Sequence, residues 1–345
     1  MLRSAKKLTI FLVIIMVIIT MVLSMTSCKS KMQTSTGLGG NTGSKEKVYK
    51  VAILLPGSVN DGGWSASAYE GLVKIEKELG CKTAFTENVK KNDQVQIMRE
   101  YAKKGFDIII GHGFEFSDAL KQVSQEYPNI KFVGIGTMVT GPNLASLQFK
   151  YGELGYLTGF IAAKSTHTNK IGIITATKDP TGQIEFDTLE AIAKQVNPNV
   201  AVAISYTGSW EDIYKAKEAA IAQIGNGADV IITNNDAGNL GVIQAAKEKG
   251  VFVIGWTGDY YKHAPDNVLT SAVQKVSLLI FEGVKGFLEK GFEGKVYQLG
   301  LKEGVQYIGE YGNTVLQELK DEVKKITKDI IEGKINIEEI YKVKK

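Results

Sequence analysis

The chain has 345 residues with 41 Lys and Arg against 37 Asp and Glu, and removing Arg3, Lys6 and Lys7 with the apolar leader that follows them lowers the net charge from +4 to +1. So near-neutral a balance excludes the basic footprint of a nucleic-acid binder. The length suffices for two domains with cores of their own.

The chain opens with those charges and an apolar run from Leu8 to Leu23, followed by small residues before Cys28. These are the parts of a secretory signal. Met25-Thr26-Ser27-Cys28 resembles a bacterial lipoprotein cleavage site, in which the cysteine is acylated and becomes the first residue of the mature chain. The alternative is an uncleaved membrane helix, because the apolar run approaches spanning length. Residues 29–47 are rich in Ser, Thr, Gly and Lys and read as a flexible tether. With Cys28 used as the anchor, Cys81 is the only thiol left, so no internal disulfide can form.

From Val48 onward, short β-branched runs alternate with amphipathic stretches of helical period, the pattern of βαβ units around a parallel sheet. Strands are predicted at 48–57, 81–87, 106–113 and 131–137, separated by helices at 65–80, 92–105 and 116–127. After a strand at 145–149 and a helix at 151–165, a second series begins with a strand at 170–176 and a helix from Ile184. It continues with strands at 200–208, 228–236 and 251–259, with helices from Glu211 and at 240–250 between them. The two series echo each other: "KKGFDIIIGHG" parallels "GNGADVIITNND". Two similar α/β lobes are therefore expected, 48–149 and 150–273, with crossings near Phe149 and Val273. The chain returns to the first lobe at 274–300, and a strand and helix segment at 301–345 packs on the lobes.

No phosphate loop, zinc-binding helix motif, nucleophile elbow or cysteine pair at metal spacing occurs. His112, His167 and His263 fall on separate predicted loops, so no catalytic or metal site and no cofactor is expected. The informative segment is "LLPGSVNDGGWSASAYEGL", which joins the first strand to its helix. Loops at the carboxyl ends of parallel strands line the ligand crevice of an open α/β sheet. This one carries Asn60, Asp61, Trp64, Ser65 and Tyr69 within ten residues. It suits two roles, a helix cap provided by Ser65 over a buried Trp64 and Tyr69, or a polar and aromatic surface for a flat heteroaromatic ligand.

The same segment is similar to the loop motif of the basic membrane lipoproteins, substrate-binding components of ABC importers. Agreement extends in order through "GFDIIIGHGFEFSDAL", "GELGYLTGFIAAKSTHTNKIGIITA" and "YTGSWEDIYKAKEAAIAQIGNGADVIITNNDAGNLGVIQ", about Val48 to Glu303. The resemblance implies the type I periplasmic-binding-protein fold, two Rossmann-like lobes closing on a ligand, and a lipid-anchored, non-enzymatic receptor outside the cytoplasm. Its partners would be an ABC permease and ATPase, and its ligand a purine nucleoside or nucleobase. A riboflavin-like flat ring is the nearest alternative ligand, and a surface sensor the alternative role. Carried over by position, Asn60 and Asp61 would contact the base, and Tyr69 and Trp210 would sandwich it. Trp64, Phe114 and Phe186 occupy aromatic positions near the cleft, and Asn235 and Asp236 would meet the sugar or the base edge. In the loop holding Trp256, Thr257 stands where an acidic ribose ligand is expected, leaving Asp259 as its only carboxylate.

Overall fold

The structure, a computed structural model, describes residues 47–342 apart from position 62. Cys28, the leader and most of the tether lie outside the described residues.

The first lobe is built on a wholly parallel sheet with the order β2-β1-β3-β4-β5-β11. Its strands are β1 (Lys50–Leu54), β2 (Lys82–Thr86), β3 (Ile108–His112), β4 (Lys131–Ile135), β5 (Leu144–Phe149) and β11 (Val296–Leu299). Helices α1 (Trp64–Leu79) and α8 (Val276–Lys290) cover one face, and α2 (Gln94–Lys103) and α3 (Ser117–Glu126) the other. Successive strand residues point to opposite faces, so Val51 and Ile53 pack with Leu72 and Ile280 while Ala52 and Leu54 pack with Met98 and Leu120. A central parallel strand buried on both faces must be apolar throughout, which is why β1 reads as an unbroken hydrophobic run.

The second lobe repeats the plan in the order β7-β6-β8-β9-β10-β12. It comprises β6 (Lys170–Thr175), β7 (Ala201–Tyr206), β8 (Val230–Asn234), β9 (Phe252–Thr257), β10 (Val268–Gln274) and β12 (Gln306–Ile308), the last antiparallel to β10. Helices α4 (Glu153–Ser165) and α5 (Pro180–Val196) cover one face; α6 (Ile213–Gly225) and α7 (Asn239–Lys249) cover the other. The C-terminal helices α9 (Gln317–Ile331) and α10 (Ile337–Lys342) add to the α4 and α5 side of this lobe. The paired segments noted in the sequence occupy equivalent third positions, β3 and β8. In each sheet the strand order reverses beside the first strand, between β1 and β3 and between β6 and β8. Such switch points open a crevice at the carboxyl ends of the strands.

The chain passes from one sheet to the other after β5 and β10 and a third time between β11 and β12. The crossings are tied together. Lys150 N–H donates to Leu299 O at 2.8 Å and Lys275 N–H to Val305 O at 2.7 Å. The buried Glu153 carboxylate accepts from Leu301 N–H and Gln306 Nε2, each at 2.8 Å.

Two helix starts differ from the sequence reading. α5 begins at Pro180 rather than Ile184, because Asp179 caps it by accepting from Thr181 N–H at 3.1 Å and Gly182 N–H at 2.6 Å and proline suits the first helical position. α6 begins at Ile213, after an Asp212 cap. Cys81 is a buried residue just before β2 instead of within it. No described helix is long and apolar enough to cross a membrane.

Candidate functional site

Both crevices open into one cavity, with about 950 Å³ of empty space including its open mouth. Each lobe contributes the loops after its strands, and all three tryptophans of the chain line it: Trp64 follows β1, Trp210 follows β7 and Trp256 ends β9. Phe114, Phe149 and Tyr151 add further rings from the first lobe and the crossing.

Trp64 is set by His112, which ends β3 and is fully buried, not on a loop. The rings stack with centroids 4.3 Å apart and planes 20° off parallel. His112 Nε2 lies 3.0 Å from Trp64 O, and burial pushes the imidazole down to about 3. A neutral ring facing a carbonyl carries its proton on Nε2, so His112 donates to Trp64. Trp256 is held likewise. Its Nε1–H donates to Gln274 Oε1 at 3.2 Å, and Phe186 packs edge-on with centroids 6.0 Å apart.

Asp61 caps α1. Its carboxylate accepts from the N–H groups of Gly63, Ser65 and Ala66, each at 2.9 Å. Ser65, the expected cap, instead uses its Oγ to accept from Gly57 N–H at 3.1 Å. Asp179 caps α5 in the second lobe, so these two helix N-termini at the cavity already hold a carboxylate. The positive ends of those helix dipoles, a natural seat for phosphate, are thereby occupied.

Six carboxylates line the cavity, Asp61 and Glu115 from the first lobe and Asp179, Glu185, Glu211 and Asp236 from the second, and no Lys, Arg or His lines it among the described residues. Burial pushes Glu185 up to about 8, against the pull of the Gly155 and Gly152 N–H groups and with the Glu153 charge adding to the rise. Its Oε2 accepts from Gly155 N–H at 2.6 Å, while Oε1, equally buried, has no hydrogen-bond partner. Gly155 makes this approach possible, since a Cβ there would overlap the Glu185 backbone carbonyl. Asp236 is pushed up to about 7 by burial and by the charges of Asp61, Glu211 and Glu115. Glu115 is raised by burial and then by Asp179 across the cleft.

Two cavity residues adopt left-handed backbone without being glycine: Asp236 at φ 45° and Thr257 at φ 69°. For a β-branched residue this is a true outlier, at a cost of about 1–3 kcal/mol.

Of the residues singled out in the sequence, Asp61, Trp64, Phe114, Trp210, Asp236 and Trp256 line the cavity. Five others do not. Tyr69 lies further along α1 and packs on Phe85 with centroids 4.8 Å apart, so the ring facing Trp210's lobe across the cleft is Trp64. Phe186 stands behind Trp256 in the core. Asn235 is fully buried, its Oδ1 accepting from the Thr207 hydroxyl at 3.0 Å, whereas Asn234 at the end of β8 and Asp236 at the start of the following 3-10 turn line the cavity. Asp259 is exposed and accepts from Glu310 N–H at 2.8 Å. Asn60 is exposed on the loop. Sequence reasoning missed Glu115, Tyr151, Asp179 and Glu185; the Asp179-Pro180 step was a cap signal for one of them.

Residues 48–341 match the family described as PnrA-like ABC transporter substrate-binding proteins, Bmp. The chain belongs to this family. It is 31% identical over 291 residues to the transcriptional activator protein med of Bacillus subtilis, covering 84% of this chain and 90% of that one. To a purine-binding protein of Brucella abortus it is 28% identical over 295 residues, covering 85% and 82%. Among solved structures, a transcriptional activator of the comK gene from Bacillus halodurans superposes with a TM-score of 0.71 at 28% identity, covering 82% and 97%. An ABC solute-binding protein from Aeropyrum pernix reaches 0.72 at 21% identity, covering 84% and 92%. The fold is that of type I periplasmic binding proteins, and the matching family is one of ABC transporter substrate-binding proteins.

Proposed function

We propose that this Bmp-family protein is a lipid-anchored receptor that captures a purine nucleobase or nucleoside between its lobes and delivers it to a membrane permease. The observation that carries this reading is the cavity at both switch points, walled by Trp64, Trp210 and Trp256 and edged by carboxylates and amides. Flat rings give a heteroaromatic ligand its stacking surface, and the polar rim supplies acceptors for ring and exocyclic N–H groups. The Brucella relative's purine-binding name supports the same ligand class. With the N-termini of α1 and α5 occupied by Asp61 and Asp179 and six carboxylates along the walls, a phosphorylated nucleotide meets like charge, so the unphosphorylated forms fit better.

Calorimetry with adenine, guanine, hypoxanthine, their nucleosides and riboflavin tests the reading. A purine should bind and raise the melting temperature by mass action; riboflavin alone doing so would reassign the ligand, and no response to any of them would end the receptor proposal. The anchor is tested separately: Cys28→Ser should leave an unprocessed or released protein, and normal processing with membrane retention would reject it. A sensing role is favoured by one observation, the activator name of the Bacillus subtilis relative. A ligand that binds tightly but is not taken up by cells would favour sensing over transport.

A further inference from the structure

Resting on the capture proposed above, we infer that the ligand of this cleft carries a positive charge: an organic cation built on a flat heteroaromatic ring, such as an N-alkylated purine nucleoside. The cleft is acidic from both sides. Glu115 of the first lobe lies close enough to Asp179 of the second to feel its charge, and Asp236 responds to Asp61 and Glu115 across the cleft. An ideal Cβ built on Gly57 would meet Asp61 Oδ2 and Glu211 Oε1 at 3.3 Å each, so those two carboxylates, one per lobe, also approach each other. Closing the lobes on nothing drives like charges together. A positively charged guest reverses that interaction.

Three alternatives for neutralising the cleft fit less well. No protein cation lines the cavity among the described residues. No three carboxylates converge to hold a metal ion among the described residues. A neutral purine brings no charge to offset the carboxylates of the cleft that stay ionised, whereas a cation does. The tryptophans favour charge as well, since the indole face is the best aromatic partner for a cation. The buried Glu185 Oε1, lacking any hydrogen-bond partner, is an acceptor in waiting. At neutral pH the empty cleft retains protons on Glu185 and Asp236, which an arriving cation would displace.

The test compares isomers of equal mass and ring system with the full-length protein at pH 7: 1-methyladenosine, which is cationic, and the neutral isomer methylated on the exocyclic amine. Calorimetry should find the cation bound at least about tenfold more tightly, about 1.4 kcal/mol. Repeating the binding in buffers of different ionisation enthalpy should show proton release with the cation. Asp236→Asn should shrink the ratio between the isomers, and because asparagine tolerates left-handed backbone the variant keeps its fold. Equal affinity, or preference for the neutral isomer, overturns the charge inference while purine capture stands. If neither isomer binds but 1-methylnicotinamide does and uncharged nicotinamide does not, charge selection holds and the purine reading fails. Binding of none of these overturns both.

Discussion

The two lobes meet the same structural demand with different chemistry. In each, an aspartate in the loop after the first strand caps the helix that follows, Asp61 for α1 and Asp179 for α5. Six residues further on, each helix satisfies a free N–H at the start of a neighbouring helix. In the first lobe the neutral Ser67 hydroxyl accepts from Ser277 N–H at 3.2 Å; in the second the Glu185 carboxylate accepts from Gly155 N–H at 2.6 Å. A hydroxyl meets the demand at no electrostatic cost. The carboxylate is buried beside the cavity with one oxygen unpaired, and that expense is the mark of a binding surface rather than a scaffold.

Removing that difference should have the largest effect. Glu185 holds its proton to about 8 when folded, against an ordinary value of 4.5. The folded state therefore binds the proton more tightly than the unfolded chain. Its stabilising contribution is complete below the ordinary value and is lost as pH rises from there to about 8, by an amount on the order of a few kcal/mol. Glu185→Gln should flatten the decline in melting temperature between pH 5 and 8. An unchanged slope would show that the carboxylate is not buried as described.

The rings sharpen the comparison next. Trp64→Ala and Trp210→Ala should each weaken ligand binding by about one to two decades, as loss of one stacking face costs about 1–3 kcal/mol. They should differ in stability: Trp64 also stacks on His112, whereas Trp210 has no ring contact other than the cavity itself among those described. A lower melting temperature is expected only for Trp64→Ala. The caps follow, at about 1–2 kcal/mol each. Asp61→Ala should cost the more stability, since Asp61 accepts three backbone N–H groups where Asp179 accepts two; denaturant midpoints compare them. The smallest effect is at Thr257, held at φ 69°. Thr257→Gly removes the strain but frees the unfolded chain, so stability should shift by no more than about 1 kcal/mol while affinity falls. Unchanged affinity would mean that the threonine side chain does not touch the ligand.

Legibility in the sequence divided along the same line. The strands could be read because central parallel strands are apolar runs, and the echo between β3 and β8 exposed two lobes. Asp61 and Trp64 could be read because they share one loop with a recognisable motif. Tyr69 was misplaced because helical rotation carries it one turn past the cavity mouth and onto Phe85. Asn235 and Asp236 could not be told apart until the end of β8 fixed which of them faces the cavity. Glu115 comes from the segment after β3 and Asp179 and Glu185 from the segment after β6, and the repulsion between Glu115 and Asp179 exists only after the lobes face each other. The sequence places His112 on a loop, and the structure in β3, for a related reason: a buried histidine behind a tryptophan has no signature of its own.

Because every tryptophan in the chain lines the cavity, intrinsic fluorescence reports on the cleft alone. Titration with purine bases and nucleosides, read as tryptophan emission and as protection from acrylamide quenching, is the most direct test of capture between the lobes. The expected result is a saturable change in emission with reduced quenching, moved to about one to two decades higher ligand concentration in Trp210→Ala. Emission and quenching that stay constant while calorimetry registers purine binding would place the ligand elsewhere on the protein and contradict the account.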